Sequence, residues 1–557
     1  MSFATIHDNG RLCVVWGLTL LLALPLCAQR RDSSLRPNHS ASLTIEVRRA
    51  DTGELVPARV YLFRGPTPHR LSPVDNLLSL FEDNFYRERI WRMTDQPKSL
   101  EVDIHNQWHD LLFEGKGTFD VPAGGEYRLE AYHGLFWHPG VEQFALDPEE
   151  VKTVVVKIRP IAPGRQEKWI SGDQHIHLMR AKEDDAVFLK WLRAEDLNVG
   201  MFLTGMRQQH FGVQYGWGSE GEGRMPGFSI RSGQETRSEF YGHTLLFGQN
   251  RLIEPPSIGS MYSNTPWAYP FPPAYFKEGR DAGAIVGFAH FHGSMPHSQL
   301  LLNLVQNRID FVEMLQYGWI KTKAWYQLLN AGLRVVGTAG CDFPDPHNHF
   351  RPWPRHLPLL GPERTLVKAD PGESAYTAWS NGIRRGAVVI SNGPLLEFQV
   401  NGETSGKVFR WTGESKTIEA TATAVFYRPI VKVELILNGK TVATAHGDGQ
   451  QTELTLPFKT NVTESSWLAV RAKSISYPGE PEIWAHANPV YVLKDGKPVY
   501  VKRDRDALRE RWAAEVEYYK TAGLRFEKES QREELMRMAE ETLRSLEGPQ
   551  PPWPQAP

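Results

Sequence analysis

Cysteine is nearly absent: there are three in 557 residues. Two of them, Cys13 and Cys27, lie in an apolar leader, so the rest of the chain keeps Cys341 alone. That excludes an internal disulfide and a thiolate metal site, so any cation must be held by His, Asp and Glu. Net charge of one sign is also missing. The 63 Lys and Arg nearly cancel the 65 Asp and Glu, leaving −2, so no global field draws the chain to nucleic acid or an acidic membrane. Long apolar runs are scarce. The one that stands out is LCVVWGLTLLLALPLCA, residues 12–28, after Arg11 and before QRRDSS. No stop-transfer pattern follows it. Residues 1–28 read as a secretory signal peptide cleaved after Ala28, in preference to a retained membrane anchor. Leu26 stands where a lipoprotein box needs a small residue. The expected location is therefore secreted or periplasmic, with no stable membrane span after cleavage.

A chain of 557 residues is too long for one core. Residues 40–160 read as an N-terminal β-sandwich: SLTIEVRRADTGELVPARVYLF is two alternating runs broken by a turn signal, and VKTVVVKIRP repeats the alternation. After the linker IAPGRQEK, strand-like and helix-like runs alternate over 165–395, in about seven units, which predicts a β/α barrel. Alternation returns over 396–500 as a second β-sandwich. Residues 501–547 carry apolar positions at helical spacing, a helical tail that docks on another domain. The fold class is thus multidomain, α/β plus all-β.

The chemistry gathers at the ends of the barrel strands, where parallel barrels place their sites. SGDQHIHLM puts Asp173, His175 and His177 on alternate positions, hence on one strand face. RSGQETR offers Glu235, YGHTLLFG offers His243, GFAHFHG offers His290 and His292, VEML offers Glu313, and GTAGCDF offers Asp342. His243 fits the strand-end position least well. Histidines with carboxylates suit divalent Zn, Mn or Fe. Any one of these alone is an ordinary structural residue; their recurrence after successive apolar runs supports a metal reading. Asp173 sits one pair deeper, either as an acceptor orienting an imidazole or as a strand-start hydrogen bonder. Cys341 should face away from the site as a packing residue. GWGSEGEGRMPG (216–227) lacks the Lys-Ser/Thr of a phosphate loop and reads as a mobile flap near the mouth, with Arg207 or Arg224 to meet an anion. NHS at Asn38 and NVT at Asn461 match the glycosylation triplet.

In this order GDQHIH, GQE, GH, GFAH and GCD resemble the polymerase-and-histidinol-phosphatase (PHP) superfamily over residues 168–395. With its flanking sandwiches, the N-terminal one carboxypeptidase-regulatory-like, the chain resembles the carbaryl-hydrolase-like (CehA/McbA-type) metallohydrolases. The resemblance implies a distorted barrel of seven strands with a metal cluster at its mouth. By position, one ion would take His175, His177, Glu235 and Asp342, and a second would share Glu235 with His243 and His290. Glu235 and Asp342 would be the catalytic carboxylates, Asp342 orienting the nucleophile or carrying its proton. The family's Thr-Asp-His is Thr204-Gly205-Met206 here, and Pro344 stands where a further His is common. Only Glu183, Asp184 and Asp185 follow the first motif. The third ion is therefore expected to be lost; His210, His347 and His349 read as exposed loop histidines in preference to accessory ligands that rebuild it. The implied function is a secreted hydrolase using a metal-bridging hydroxide on an ester, carbamate or phosphoester of a small molecule. The competing class is a non-catalytic glycan- or ligand-binding protein with a degenerate barrel.

Overall fold

The computed structural model describes residues 40–71, 77–81, 99–103, 110–207, 210–263, 265–291, 298–344, 353–369, 372–551 and 553. The leader, Asn38, His292, His347 and His349 lie outside them, and Arg207 and His210 are described along the backbone alone. The molecule is a β-rich, multidomain α/β protein with several sheets and, among the described residues, seven α-helices. None of those helices is long and apolar enough to cross a membrane.

Two sheets form over the N-terminal region, one ordered 116–122, 40–49, 151–160, 137–138, the other ordered 140–145, 126–132, 58–64, 110–113, 99–103, 77–81. Alternation explains them. In Val151–Pro160 the side chains of Val154, Val156 and Ile158 point into the core while the intervening residues face out.

The central region is a ring of strands: β1 (Trp169–Ile176), β2 (Val199–Arg207), β3 (Phe228–Ser238), β4 (Thr244–Phe247), β5 (Ile285–Phe288), β6 (Phe311–Gln316) and β7 (Val336–Ala339). β1, β2 and β3 pair in parallel, β4 runs antiparallel to both β3 and β5, and β5, β6 and β7 pair in parallel. Just past β7, Phe343 bridges back to Ile176 at the end of β1, so the pairing returns to its start. Helices α1 (Asp185–Ala194), α2 (Pro272–Asp281), α3 (Leu300–Val305) and α4 (Thr322–Asn330) occupy the connections. The expected β-α alternation is interrupted, because no described helix lies between β2 and β3. Beyond the ring, β8 (Arg364–Lys368) lies against the start of β1, and α5 (Ala375–Arg385) leads to β9 (Val388–Ser391). α5 starts at Ser374, whose hydroxyl accepts the Thr377 N–H, and stops at Gly386 in the left-handed region at φ 75°.

β9 pairs with Trp484–Ala487 of the C-terminal sandwich, so one sheet runs from the ring into that sandwich. The other sandwich layer is three strands, 395–400, 416–425 and 453–462. The N-terminal sandwich is locked to the ring by Arg59, fully buried, whose Nε lies 2.9 Å from Glu195 Oε1 and whose Nη2 donates to Leu357 O at 2.7 Å. The C-terminal helices α6 (Lys502–Thr521) and α7 (Glu529–Ser545) form a hairpin in which Trp512 Nε1 donates to Ala539 O at 2.8 Å. Val501 N–H and Asp504 both bond Asn330 at the end of α4, which docks this tail on the ring.

Candidate metal centre

Six side chains from distant parts of the chain meet at the mouth of the ring, and all are buried or nearly so. They are His175, His177, Glu235, His243, His290 and Asp342. β1 delivers the first pair, with ring centroids 5.1 Å apart. Glu235 lies near the end of β3, and Asp342 follows β7. His243 precedes β4. Because β4 is inverted relative to its neighbours, its beginning lies at the same end of the ring as the ends of β3 and β5. That reversal is why His243 joins the cluster although it starts a strand instead of ending one.

The donor atoms are close together. Asp342 Oδ1 lies 3.1 Å from His175 Nε2 and 3.0 Å from His177 Nε2. Glu235 Oε2 lies 3.3 Å from His177 Nε2. Glu235 Oε1 lies 3.0 Å from His243 Nδ1, 3.3 Å from His290 Nε2 and 3.7 Å from His175 Nε2. Donors bound at ~2.1 Å around a tetrahedral ion stand ~3.4 Å apart, so this spacing fits. His175 Nε2 and Asp342 Oδ1 are fully buried and make no hydrogen bond among the described residues. Buried polar atoms within hydrogen-bonding distance but out of line with it are costly unless something else satisfies them. The set could hold divalent ions through His nitrogens and carboxylate oxygens.

The surroundings hold the donors in place. Both oxygens of Glu313 lie 3.1 Å from His175 Nδ1. His290 Nδ1 meets Gln316 Oε1 at 2.7 Å, and His243 Nε2 meets the Tyr262 hydroxyl at 3.3 Å. Arg237 Nε donates to Glu235 Oε2 at 2.6 Å, and the Tyr317 hydroxyl donates to Asp342 Oδ2. His290, Tyr317 and Asp342 all have positive φ, at 47°, 52° and 56°. Left-handed backbone is unusual for such residues, and its recurrence here marks a built site. Burial opposes ionisation throughout; the partners prevail at Glu235, Asp342 and His175, and burial prevails at His243. Burial works against the Glu235 carboxylate, but Arg237 and His243 hold it well below the usual range. Asp342 is likewise held low against burial by His175, His177 and His290. Burial disfavours charge on His175, but Asp342 and Glu313 outweigh it and raise that imidazole well above its ordinary value. Burial brings His243 down to about 4.

Of the two roles open to it, Asp173 takes the hydrogen-bonding one in the structure and not the orienting of an imidazole. Its oxygens accept the backbone N–H groups of His175, Cys341 and Gly361 at 3.0–3.1 Å, because three chain segments cross there and need an acceptor. Burial pushes its carboxyl up to about 6. Glu313 has the place beside the imidazole instead. Cys341 is buried, its thiol toward His175 O at 3.7 Å, and burial pushes its pKa up, as befits a packing residue. The Gly-rich segment is not a flap at the mouth. Gly223–Met225 pairs with Phe228–Ile230 at the beginning of β3. Arg224 is opposite Ser229, six residues before Glu235, or about 20 Å along a strand. Glu222 ties the segment to Arg231 at 2.9 Å. Asp184 caps Ala181 and Asp185 pairs with Arg180 at 2.7 Å, so neither is in the cluster. Sequence reading passed over Arg237, Tyr262, Gln316 and Tyr317. Only Arg237 carried a signal, lying two residues after Glu235 on the same strand face.

No protein-family model matches the chain, and no curated protein matches it. Among solved structures, Endonuclease Q in complex with a 27-mer duplex bearing an abasic lesion at its active site is similar over 38% of this chain at 15% identity, with a TM-score of 0.24. The chain covers 57% of that protein, little more than half. A CARDB domain from Pyrococcus furiosus is similar over 18% of this chain and 95% of its own, at 16% identity and a TM-score of 0.13. Overlaps this loose carry no argument about fold family or function.

Proposed function

We propose that the protein is a metal-dependent hydrolase of the PHP type, related to the carbaryl-hydrolase-like enzymes. It acts outside the cytoplasm, secreted or periplasmic. Two divalent ions, Zn, Mn or Fe, are held by His175, His177, Glu235 and Asp342 on one side and by Glu235, His243 and His290 on the other. The observation that carries this reading is the convergence of six buried or nearly buried side chains around His175 Nε2 and Asp342 Oδ1, neither of which makes a hydrogen bond among the described residues. Bound there, such ions supply a nucleophile at neutral pH and polarise the bond to be broken.

The protein's own groups do the rest. Glu313 fixes the His175 ring so that Nε2 faces the cluster. Tyr317 occupies Asp342 Oδ2 and so turns Oδ1 toward the two imidazoles, where it would meet the ion and hold a water beside it in position. Arg237 holds Glu235 Oε2 and keeps the carboxyl ionised, with Oε1 toward His243 and His290. Substrates are carboxylic or carbamate esters before phosphoesters. With Gly205 and Met206 in place of an acid and an imidazole, fewer positive charges would meet a phosphate.

The test is metal analysis of purified protein, then a hydrolysis screen of the loaded form against aryl esters, carbamates, phosphomonoesters and phosphodiesters. Near-stoichiometric metal with turnover of one ester class is expected. Metal with no turnover across the panel would favour the ligand-binding alternative. His175→Ala combined with His177→Ala should abolish metal retention while far-UV circular dichroism keeps its β signature. Wild-type metal content in that variant would sink the assignment.

A further inference from the structure

We propose that the two cation positions are unequal by construction: the position built on His175, His177 and Asp342 fills first, and the one built on His243 and His290 binds more weakly. The inference rests on the dinuclear reading above and concerns what stands behind each imidazole.

One strand backs both positions. Glu313 and Gln316 lie three apart on β6, a spacing that would put them on opposite faces of a regular strand. A register shift between Glu313 and Leu315 breaks the alternation. Both side chains consequently reach ring nitrogens of the cluster. Glu313 meets His175 Nδ1 with both oxygens at 3.1 Å, whereas it is 3.8 Å from His290 Nδ1. His290 Nδ1 is instead matched by the neutral amide of Gln316 at 2.7 Å. His243 has a phenol, Tyr262, on its far nitrogen.

The direct ligands repeat the asymmetry. Asp342 reaches His175 and His177 at 3.1 and 3.0 Å, but His290 only at 3.8 Å. Glu235 is shared. The first position therefore has one carboxylate in contact and another behind its imidazole. The second has neither of its own. A carboxylate behind a ligating imidazole makes its lone pair more basic, and removing such a partner typically costs about 10–100-fold in metal affinity.

The test titrates metal-free full-length protein with Co²⁺, and separately with Zn²⁺, against a competing chelator. Occupancy is read from the Co²⁺ absorption spectrum and by mass spectrometry. Two steps at least about tenfold apart are expected. Glu313→Gln should weaken the first step by about 10–100-fold and the second by clearly less, since Glu313 meets His290 at its backbone N–H, 3.0 Å from Oε2, and not at its ring. Gln316→Glu should tighten the second step and narrow the gap. Two indistinguishable steps in the wild type, equal weakening of both by Glu313→Gln, or an unmoved second step in Gln316→Glu would overturn the proposal. If Glu313→Gln does not fold, as judged by circular dichroism of the metal-free form, the Gln316→Glu arm decides. No uptake by wild-type protein is a separate result that removes the metal reading itself.

Discussion

Gly340 shows how much at this centre depends on space instead of donors. It lies between β7 and Asp342 and bears no side chain. A Cβ there would come within 2.3 Å of Glu313 Oε1 and 2.8 Å of the His175 Cβ. Gly340→Ala must therefore displace the carboxylate or the imidazole, although Gly340 touches no ion. Metal affinity is expected to fall at least about tenfold, with a fold destabilisation of about 1–3 kcal/mol from overpacking. Equilibrium dialysis against Zn²⁺ checks the first and urea unfolding the second. Wild-type affinity would mean that the Glu313–His175 contact contributes nothing. At this scale the sequence was legible where the chemistry is local. The period-two spacing of His175 and His177 was readable, and so was the acid after each glycine-bounded strand. It was illegible where partners lie far apart in the chain. Glu313 backs a histidine 138 residues away, and no spacing rule connects them. The alternation left two roles open to Asp173, and only the fold shows that it takes the hydrogen-bonding one, with backbone from 341 and 361.

Among the elements, β4 decides the composition of the second position. Its reversal brings a strand beginning to the mouth, so His243 lies beside Glu235 and His290. In the sequence the short run Thr244–Phe247 reads as a strand, but nothing in its four residues states its direction. The helical hairpin makes a second case. Apolar spacing in α6 was readable and implied docking; its partner was not. Trp512 is fully buried between α6 and α7 and near α3, with its indole N–H on Ala539 O. Trp512→Ala should cost about 3–5 kcal/mol, the usual range for emptying such a site, measured by chemical denaturation. Because the Trp512 indole lies against α3, α4 and Ala539 and meets none of the six donors, metal content of the folded variant should stay unchanged. A cost within 0.5 kcal/mol, the usual range for a surface substitution, would show that the hairpin is not packed on the ring.

Taken whole, the molecule is held together at its domain junctions by buried polar groups with a predictable acid response. His486 lies in the strand that joins ring and C-terminal sandwich, its Nε2 2.6 Å from the Tyr326 hydroxyl of α4. His356 sits beside Glu480 of that sandwich at 3.4 Å. Burial lowers both imidazoles to about 3. In the unfolded chain they protonate near 6.5. Between those values the unfolded state binds more protons, so stability is full above about pH 6.5 and falls as the pH drops toward 3. The melting temperature should decline from pH 7 to pH 4, and His486→Gln should decline less over the same interval. Equal slopes would show that His486 is not held neutral. From the sequence alone came the β-rich regions around a β/α centre, the helical tail and the six donors, because alternation, helical spacing and residue chemistry are local properties of the chain. Folding in three dimensions decided the direction of β4, the continuity of one sheet across residue 395 and the carboxylate and amide behind the imidazoles. Those depend on which distant segments come to share a surface, and one-dimensional order carries no record of that.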